Sequence, residues 1–168
     1  MKRSSPNTPC IGICSTTFGD TVCRGCKRFL HEVVEWNGYS HAEKALVWQR
    51  LDQLLALVVG NYIEVEDADR LEATLLAQNL RCQSQFSPPA RVPELLRAAG
   101  SRHPAYADFG LRPLAAALTH DTGRALYDTI SQEFHALSQA HYERSFLQPM
   151  RIRALIRETA QAFVEKSS

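Results

Sequence analysis

The clearest pattern of apolar and polar positions lies between Ser40 and Gly60. Alanine, leucine, tryptophan and valine recur there at intervals of three and four residues, which keeps one face of a helix apolar for about four turns. Ser40 and Glu43 form a capping box, in which the serine hydroxyl accepts from the glutamate N–H and the carboxylate accepts from the serine N–H. The pattern predicts an amphipathic helix that begins after Ser40 and ends at Gly60 or Asn61.

Similar spacing predicts helices along the rest of the chain, and no alternating run long enough to indicate a strand occurs. Asn37-Gly38 is a strong breaker after the first helix, and Asp121 or Thr122 can cap a long later one. These further helical segments are expected at residues 27–36, 66–80, 93–99, 111–118, 123–144 and 149–166. We therefore predict an all-α protein.

The last of these helices has one apolar face, with arginine and lysine at other positions. The apolar face carries Ile152, Leu155, Ile156, Ala160 and Phe163. We expect this face to pack on the core while the polar face remains in solvent. A contact with a partner or with an anionic surface is the alternative function of such a helix.

Four of the five cysteines lie within the first 26 residues, with the spacing C-x3-C-x8-C-x2-C. They are Cys10, Cys14, Cys23 and Cys26. Two cysteines separated by two or three residues can direct both sulfurs at one ion, and two such pairs supply the four thiolates of a tetrahedral centre. Gly25 suits a tight turn before the last sulfur. The pattern predicts that these four residues are metal ligands.

Two other uses of paired cysteines remain open. Disulfides would give the same count in a small secreted domain, but the chain opens with basic and polar residues and has no apolar run of signal-peptide length. We therefore expect a cytoplasmic protein with reduced thiols. A redox C-x-x-C motif normally follows a strand in a βαβ unit and needs no second pair nearby. The fifth cysteine, Cys82, has no partner at metal-ligand spacing and is expected to be a half-buried residue at a helix end.

The spacing does not decide between one Zn²⁺ ion and one iron–sulfur cluster, because thiolate-rich tetrahedral sites suit both. The gap of eight residues is shorter than the roughly 15–20 residues usual in a zinc ribbon. Neighbouring apolar and basic residues would shield either centre and offset the charge of its thiolates. We predict an irregular four-cysteine loop packed on two helices over residues 1–60, followed by a helical domain of unknown role over residues 61–168.

The N-terminal region also carries a family resemblance. The chain resembles the DUF1289 family of small bacterial four-cysteine proteins, often described as predicted iron–sulfur proteins, over about residues 8–55. The matching positions are Pro9, Cys10, Ile11, Gly12, Cys14, Asp20, Cys23, Arg24, Gly25, Cys26, Arg28, Glu32, Trp36, Glu43, Trp48, Arg50 and Leu51. The resemblance implies a four-cysteine metal centre and assigns no biochemical role.

Composition excludes several other classes of protein. Lys and Arg total 19 and Asp and Glu total 18, so the net charge is +1, and no basic tract indicates nucleic-acid binding. The longest apolar run, residues 54–60, is far shorter than the roughly 20 residues that span a membrane. No nucleophile elbow, glycine-rich phosphate loop or helical pair of metal-binding histidines occurs. The sequence gives no indication of an enzyme.

Two functions fit these observations. The first is a non-catalytic adaptor or regulatory protein in which the metal organises a surface for a protein partner. That surface is expected at Arg24, Lys27, Arg28 and Trp48, since arginine and tryptophan are enriched at interface hot spots. The alternative is an iron–sulfur protein of redox or iron- or oxygen-sensing type, in which loss of the cluster alters the helical part.

Overall fold

The computed structural model describes residues 8–80 and 83–166, without the side chains of residues 159, 160 and 162–166. Cys82 and the side chains of Ala160 and Phe163 therefore lie outside the description. The fold is mainly helical, which confirms the predicted class. Its helices are α1 (Leu30–Val34), α2 (His41–Val59), α3 (Ala68–Ala77), α4 (Pro88–Ala99), α5 (Gly123–Tyr142) and α6 (Gln148–Lys166). Short 3-10 turns occupy Ser15–Phe18, Trp36–Gly38, Tyr106–Phe109 and Ala117–Thr119, and a π turn at Glu143–Leu147 joins α5 to α6.

Helix starts follow the capping residues expected from the sequence. At the start of α2, Glu43 N–H donates to Ser40 Oγ at 3.3 Å and Ser40 N–H donates to Glu43 Oε2 at 2.7 Å. At the start of α5, Ala125 N–H donates to Thr122 Oγ1 at 3.1 Å. These bonds satisfy N–H groups that have no partner inside the helix, so the side chains fix where α2 and α5 begin.

The helix expected at residues 111–118 was wrong. Strand β2 (Leu111–Pro113) pairs antiparallel with β1 (Ile63–Val65), and a 3-10 turn follows at Ala117–Thr119. The register places Ile63 opposite Pro113 and Val65 opposite Leu111. Strands of three residues are too short to show an alternating pattern, and their pairing joins segments far apart in the chain.

The core lies between α2, α4 and α5. Helix α2 packs on both of the others, and α4 packs on α5. The most buried side chains of this contact include Leu51, Leu96 and Ile130, each exposed by no more than 1%. Core residues on α2 therefore pack against helices that follow residue 60. The boundary predicted at residue 60 between two domains stays a prediction.

The packing predicted for the last helix was wrong for the side chains that the structure describes. Side chains from Gln148 to Glu158 are all exposed, and Ile152, Leu155 and Ile156 each expose about 60% of their surface. The apolar stripe is thus present on α6, but its described part is not covered by the core. Within residues 8–80 and 83–166, no helix combines the length and apolarity needed to cross a bilayer.

Candidate metal centre

The second cysteine pair lies in a tight loop closed by backbone hydrogen bonds. Cys23 N–H donates to the Arg28 carbonyl at 2.9 Å, and Lys27 N–H donates to the Cys23 carbonyl at 2.8 Å. A single antiparallel bridge pairs Val22 with Phe29. Lys27 has a φ of 58°, a left-handed conformation that turns the chain sharply after Cys26. We call residues 22–29 the cysteine loop.

The first cysteine pair lies on the segment that passes over the cysteine loop. Arg24 N–H donates to Ser15 Oγ at 2.8 Å, and the Cys23 thiol donates to the Ile13 carbonyl at 3.5 Å. Cys10 Sγ accepts from Gly12 N–H at 3.4 Å. The bonds of Arg24 and Cys23 hold the two segments against each other, and none of the four described cysteines is in a disulfide.

The four sulfurs differ in exposure and in their neighbours. Cys23 and Cys26 are buried and interact with each other, Cys14 is half-buried with Sγ 3.0 Å from Thr16 Oγ1, and Cys10 is exposed. No group of three or more histidine, cysteine, aspartate or glutamate side chains in the described part of the chain is arranged to hold a metal ion. The structure thus brings the second pair together, and the convergence of all four sulfurs stays a prediction.

The two buried thiols have opposite pKa shifts. Burial raises the pKa of Cys23, but backbone hydrogen bonds from Cys26, Ser15 and Gly25 and the Cys26 side chain outweigh it, so the pKa falls from 9.0 to about 7. At Cys26, burial raises the pKa and the hydrogen bond from Arg28 only partly offsets it. Cys23 is therefore the sulfur on which the protein stabilises a thiolate most directly.

Two arginines surround Cys26 on the side of α1 and α2. Arg28 Nε donates to Cys26 Sγ at 3.4 Å, and its guanidinium carbon lies 4.7 Å from the ring centroid of Trp36. Burial lowers the pKa of Arg50, while the charges of Glu32 and Cys26 raise it. Both arginines have a buried Nη1 without a hydrogen-bond acceptor among the described residues.

Glu32 is the acidic residue of this cluster. Its Oε2 accepts from Phe29 N–H at 2.8 Å and from Arg50 Nη2 at 2.5 Å. Glu32 and Arg50 were predicted only as positions of the family pattern, with no role of their own. The signal that would have identified the first of these bonds is the position of Glu32 three residues after Phe29, which places a carboxylate in the first turn of α1.

The surface expected for a protein partner must be corrected. Lys27 and Arg28 on the cysteine loop and Trp48 on α2 are exposed by only 4–5%, and their side chains contact Ser131, Trp36 and Phe86, respectively. Arg24 is exposed and pairs with Asp20 at 2.8 Å. Three of the four residues are thus part of the interior. Arginine and tryptophan also favour such interior stacking, and the sequence does not distinguish the two environments.

The residues around the sulfurs suit a thiolate-bound metal. Four cysteines form the donor set that zinc and iron–sulfur clusters prefer, and the N–H donors of Gly12 and Arg28 reach Cys10 and Cys26, respectively. The guanidinium groups of Arg28 and Arg50, each with one buried Nη1 that has no acceptor in the described part of the chain, add positive charge beside Cys26. The chemistry of the site therefore fits the metal that the sequence predicts.

These features define the class of the protein, which is mainly helical with a cysteine-rich N-terminal segment. Residues 8–55 match the family model described as a protein of unknown function, DUF1289. The match confirms the resemblance seen in the sequence and leaves the region from β1 to α6 outside it. Comparison with curated proteins and with solved structures finds no significant match.

Proposed function

We propose that the N-terminal segment holds one metal centre, either a Zn²⁺ ion or an iron–sulfur cluster. The ligands would be the four thiolates of Cys10, Cys14, Cys23 and Cys26. The observation that carries the proposal is the pair of buried Nη1 groups on Arg28 and Arg50, which have no acceptor in the described part of the chain.

Charge is the reason that these arginines support a metal. A buried guanidinium N–H without an acceptor is costly. Within residues 8–80 and 83–166, Glu32 is the only carboxylate in ion-pair distance of either arginine. Four thiolates bound to Zn²⁺, or to an oxidised cluster, leave a net negative charge that faces the arginines. The cationic surroundings of Cys26 would then be neutralised by the loaded centre.

Loading requires the first cysteine pair to turn toward the second. Little packing opposes this movement, because Cys10 is exposed and Ile11, Ile13 and Phe18 expose 58%, 69% and 91% of their surface. Segments with few buried apolar contacts rearrange at low cost. When bound, the metal would tie this segment to the cysteine loop, as structural zinc does in small domains.

Metal analysis of protein purified without oxygen tests this proposal. We expect about one equivalent of zinc and no visible colour, or iron with acid-labile sulfide and a brown colour. Serine substitution of any one of the four cysteines should reduce the bound metal, whereas Cys82→Ser is the matched control and should retain it. Protein with neither metal nor sulfide, or full loading of the four serine variants, would overturn the proposal.

The metal identity decides between the two functions that the sequence left open. Zinc would support a non-catalytic adaptor, in which the centre has a structural role and a protein partner is engaged elsewhere. The exposed aliphatic side chains of α6 favour this function, since an amphipathic helix can dock its apolar face in a partner groove. A cluster that is lost in air, with a change in the helical region, would favour the sensing alternative.

The adaptor function has its own test on α6. A photo-crosslinking residue at Leu155 should give one specific adduct in cells, and Ile152→Asp should abolish that adduct without reducing the metal content. A crosslinker at Leu118, which is 61% exposed outside α6, is the matched control and should give none. Identical adducts from both positions would argue against α6 as the partner surface.

A further inference from the structure

Helix α6 leaves the body of the protein through the π turn at Glu143–Leu147. The side chains from Gln148 to Glu158 are all exposed, so packing on the core does not fix the direction of the helix along this stretch. Among the described elements, α6 contacts chiefly the π turn, which in turn continues from α5. Such π turns between helical segments are frequent at functional sites. The direction of α6 therefore depends on the contacts of the π turn.

Phe146 gives the π turn a set of ring contacts. Its ring centroid lies 5.3 Å from that of Tyr142 at the end of α5. On the other side it lies 5.6 Å from the centroid of Phe29 and 4.8 Å from that of His31. Phe29 and Tyr142 also meet edge to face, with centroids 5.2 Å apart. These four residues, which we call the ring cluster, join the cysteine loop and α1 to the base of α6.

Phe29 is firmly held on the side of the cysteine loop. It is the last residue of that loop, is 4% exposed, and forms the antiparallel bridge with Val22. Its N–H donates to Glu32 Oε2 at 2.8 Å, and the guanidinium carbon of Arg50 lies 3.7 Å from the centroid of its ring. Only two residues separate Phe29 from Cys26. A change in the cysteine loop therefore displaces the Phe29 ring.

The other side chains of the π turn give it little support. Glu143, Arg144 and Ser145 are exposed, and Leu147 is half-buried. Phe146 itself exposes 37% of its surface. Segments with few buried apolar contacts rearrange at low cost. Loss of the contact between Phe29 and Phe146 therefore frees the π turn, and the direction of α6 changes with it.

We propose that the ring cluster is a joint that fixes the direction of α6 while the cysteine loop holds its metal, and that releases α6 when the metal is lost. The inference rests on the proposed metal centre and describes how that centre regulates the apolar face of α6. Metal binding requires the ordered cysteine loop, in which Phe29 packs on Phe146, so it stabilises the ring contacts. The loaded protein presents the apolar face in one direction, and the metal-free protein presents it in several.

Distances between spin labels on α6 and α3 test the joint in the full-length, metal-loaded protein. The labels are attached to unnatural amino acids at Ile156 and Leu76, which are 62% and 69% exposed, so that the cysteines stay free for the metal. Pulsed electron paramagnetic resonance should give one narrow distance distribution. Removal of the metal by a chelator should at least double its width. A broad distribution in the loaded protein, or an unchanged one after metal removal, would overturn the proposal.

Phe146→Ala separates the ring cluster from the metal. In the loaded protein, this variant should broaden the distance distribution as much as metal removal does. The matched control is Phe109→Ala, which removes a partly buried ring outside the cluster and should leave the distribution narrow. Removal of the metal from Phe146→Ala should then add no further broadening. A narrow distribution in this variant, or further broadening as large as in wild type, would contradict the joint.

Failure of the joint and failure of the metal centre give different results. Bound metal together with a distance distribution that does not respond to Phe146→Ala refutes the joint and leaves the metal centre standing. Protein that binds no metal refutes the centre, and the joint fails with it. If Phe146→Ala does not fold, Phe146→Leu gives the same comparison, because leucine keeps an apolar side chain and removes the ring contacts.

Discussion

Gly25 lies directly against the main-chain carbonyl of Ile13. A Cβ atom added at Gly25 would be 2.5 Å from that oxygen, a distance that side chains essentially never reach. The first cysteine pair and the cysteine loop therefore approach each other through backbone, and only glycine allows this separation.

Gly25→Ala is expected to push the two segments apart. We predict a loss of about 1–3 kcal/mol in the free energy of unfolding, the usual cost of overpacking, together with weaker metal binding. Gly38→Ala is the matched control, because a Cβ there meets no atom within 4 Å. Urea unfolding and metal competition measure both effects, and equal behaviour of the two variants would contradict the close approach seen here.

Glu32→Gln is expected to destabilise the protein by about 2–3 kcal/mol. The substitution leaves the Arg50 guanidinium largely buried without its anionic partner, although the 19% exposure of that side chain reduces the penalty. Glu158→Gln, on the exposed face of α6, should change stability by no more than about 0.5 kcal/mol. Thermal and urea unfolding of both variants would show whether the ion pair matters.

The stability of the metal-free protein should depend on pH through Cys23. Its pKa is lowered from 9.0 to about 7 on folding, so this contribution is fully present above the ordinary pKa and is lost as the pH falls through 7. Burial raises the pKa of Cys26, which has the opposite effect. The difference between wild type and Cys23→Ser therefore gives the contribution of Cys23 to the pH dependence of the unfolding free energy. Unfolding free energies that respond to pH identically in this variant and in wild type would exclude it.

Removal of the metal by a chelator should loosen residues 8–29 before the helical core. The segment buries few large apolar side chains of its own, and two of its ties to α5 are the Lys27–Ser131 bond and the 3.1 Å contact of His135 Nε2 with the Val22 carbonyl. Hydrogen exchange should speed up there first, while amides of α2 and α5 stay protected. Uniform acceleration along the chain would contradict a local role for the metal.

Local signals in the sequence were sufficient to place α2 and the start of α5 and to identify the candidate ligands. The apolar spacing and the capping box placed α2, and the cap predicted at Asp121 or Thr122 placed the start of α5, because these signals act within a few residues. The cysteine spacing likewise identified four candidate ligands. These patterns depend only on residues that are close in the sequence, so they can be recognised without knowledge of the tertiary structure.

The tertiary structure decided which of these residues are buried and what they contact. The β1–β2 pair, the Glu32–Arg50 ion pair and the Lys27–Ser131 hydrogen bond all join segments that are distant in the chain. Trp48 is buried, whereas the described apolar residues of α6 are exposed. The sequence pattern of both helices is compatible with a buried or an exposed apolar face. Periodicity specifies that a face is apolar, but the covering of that face depends on the position of every other element.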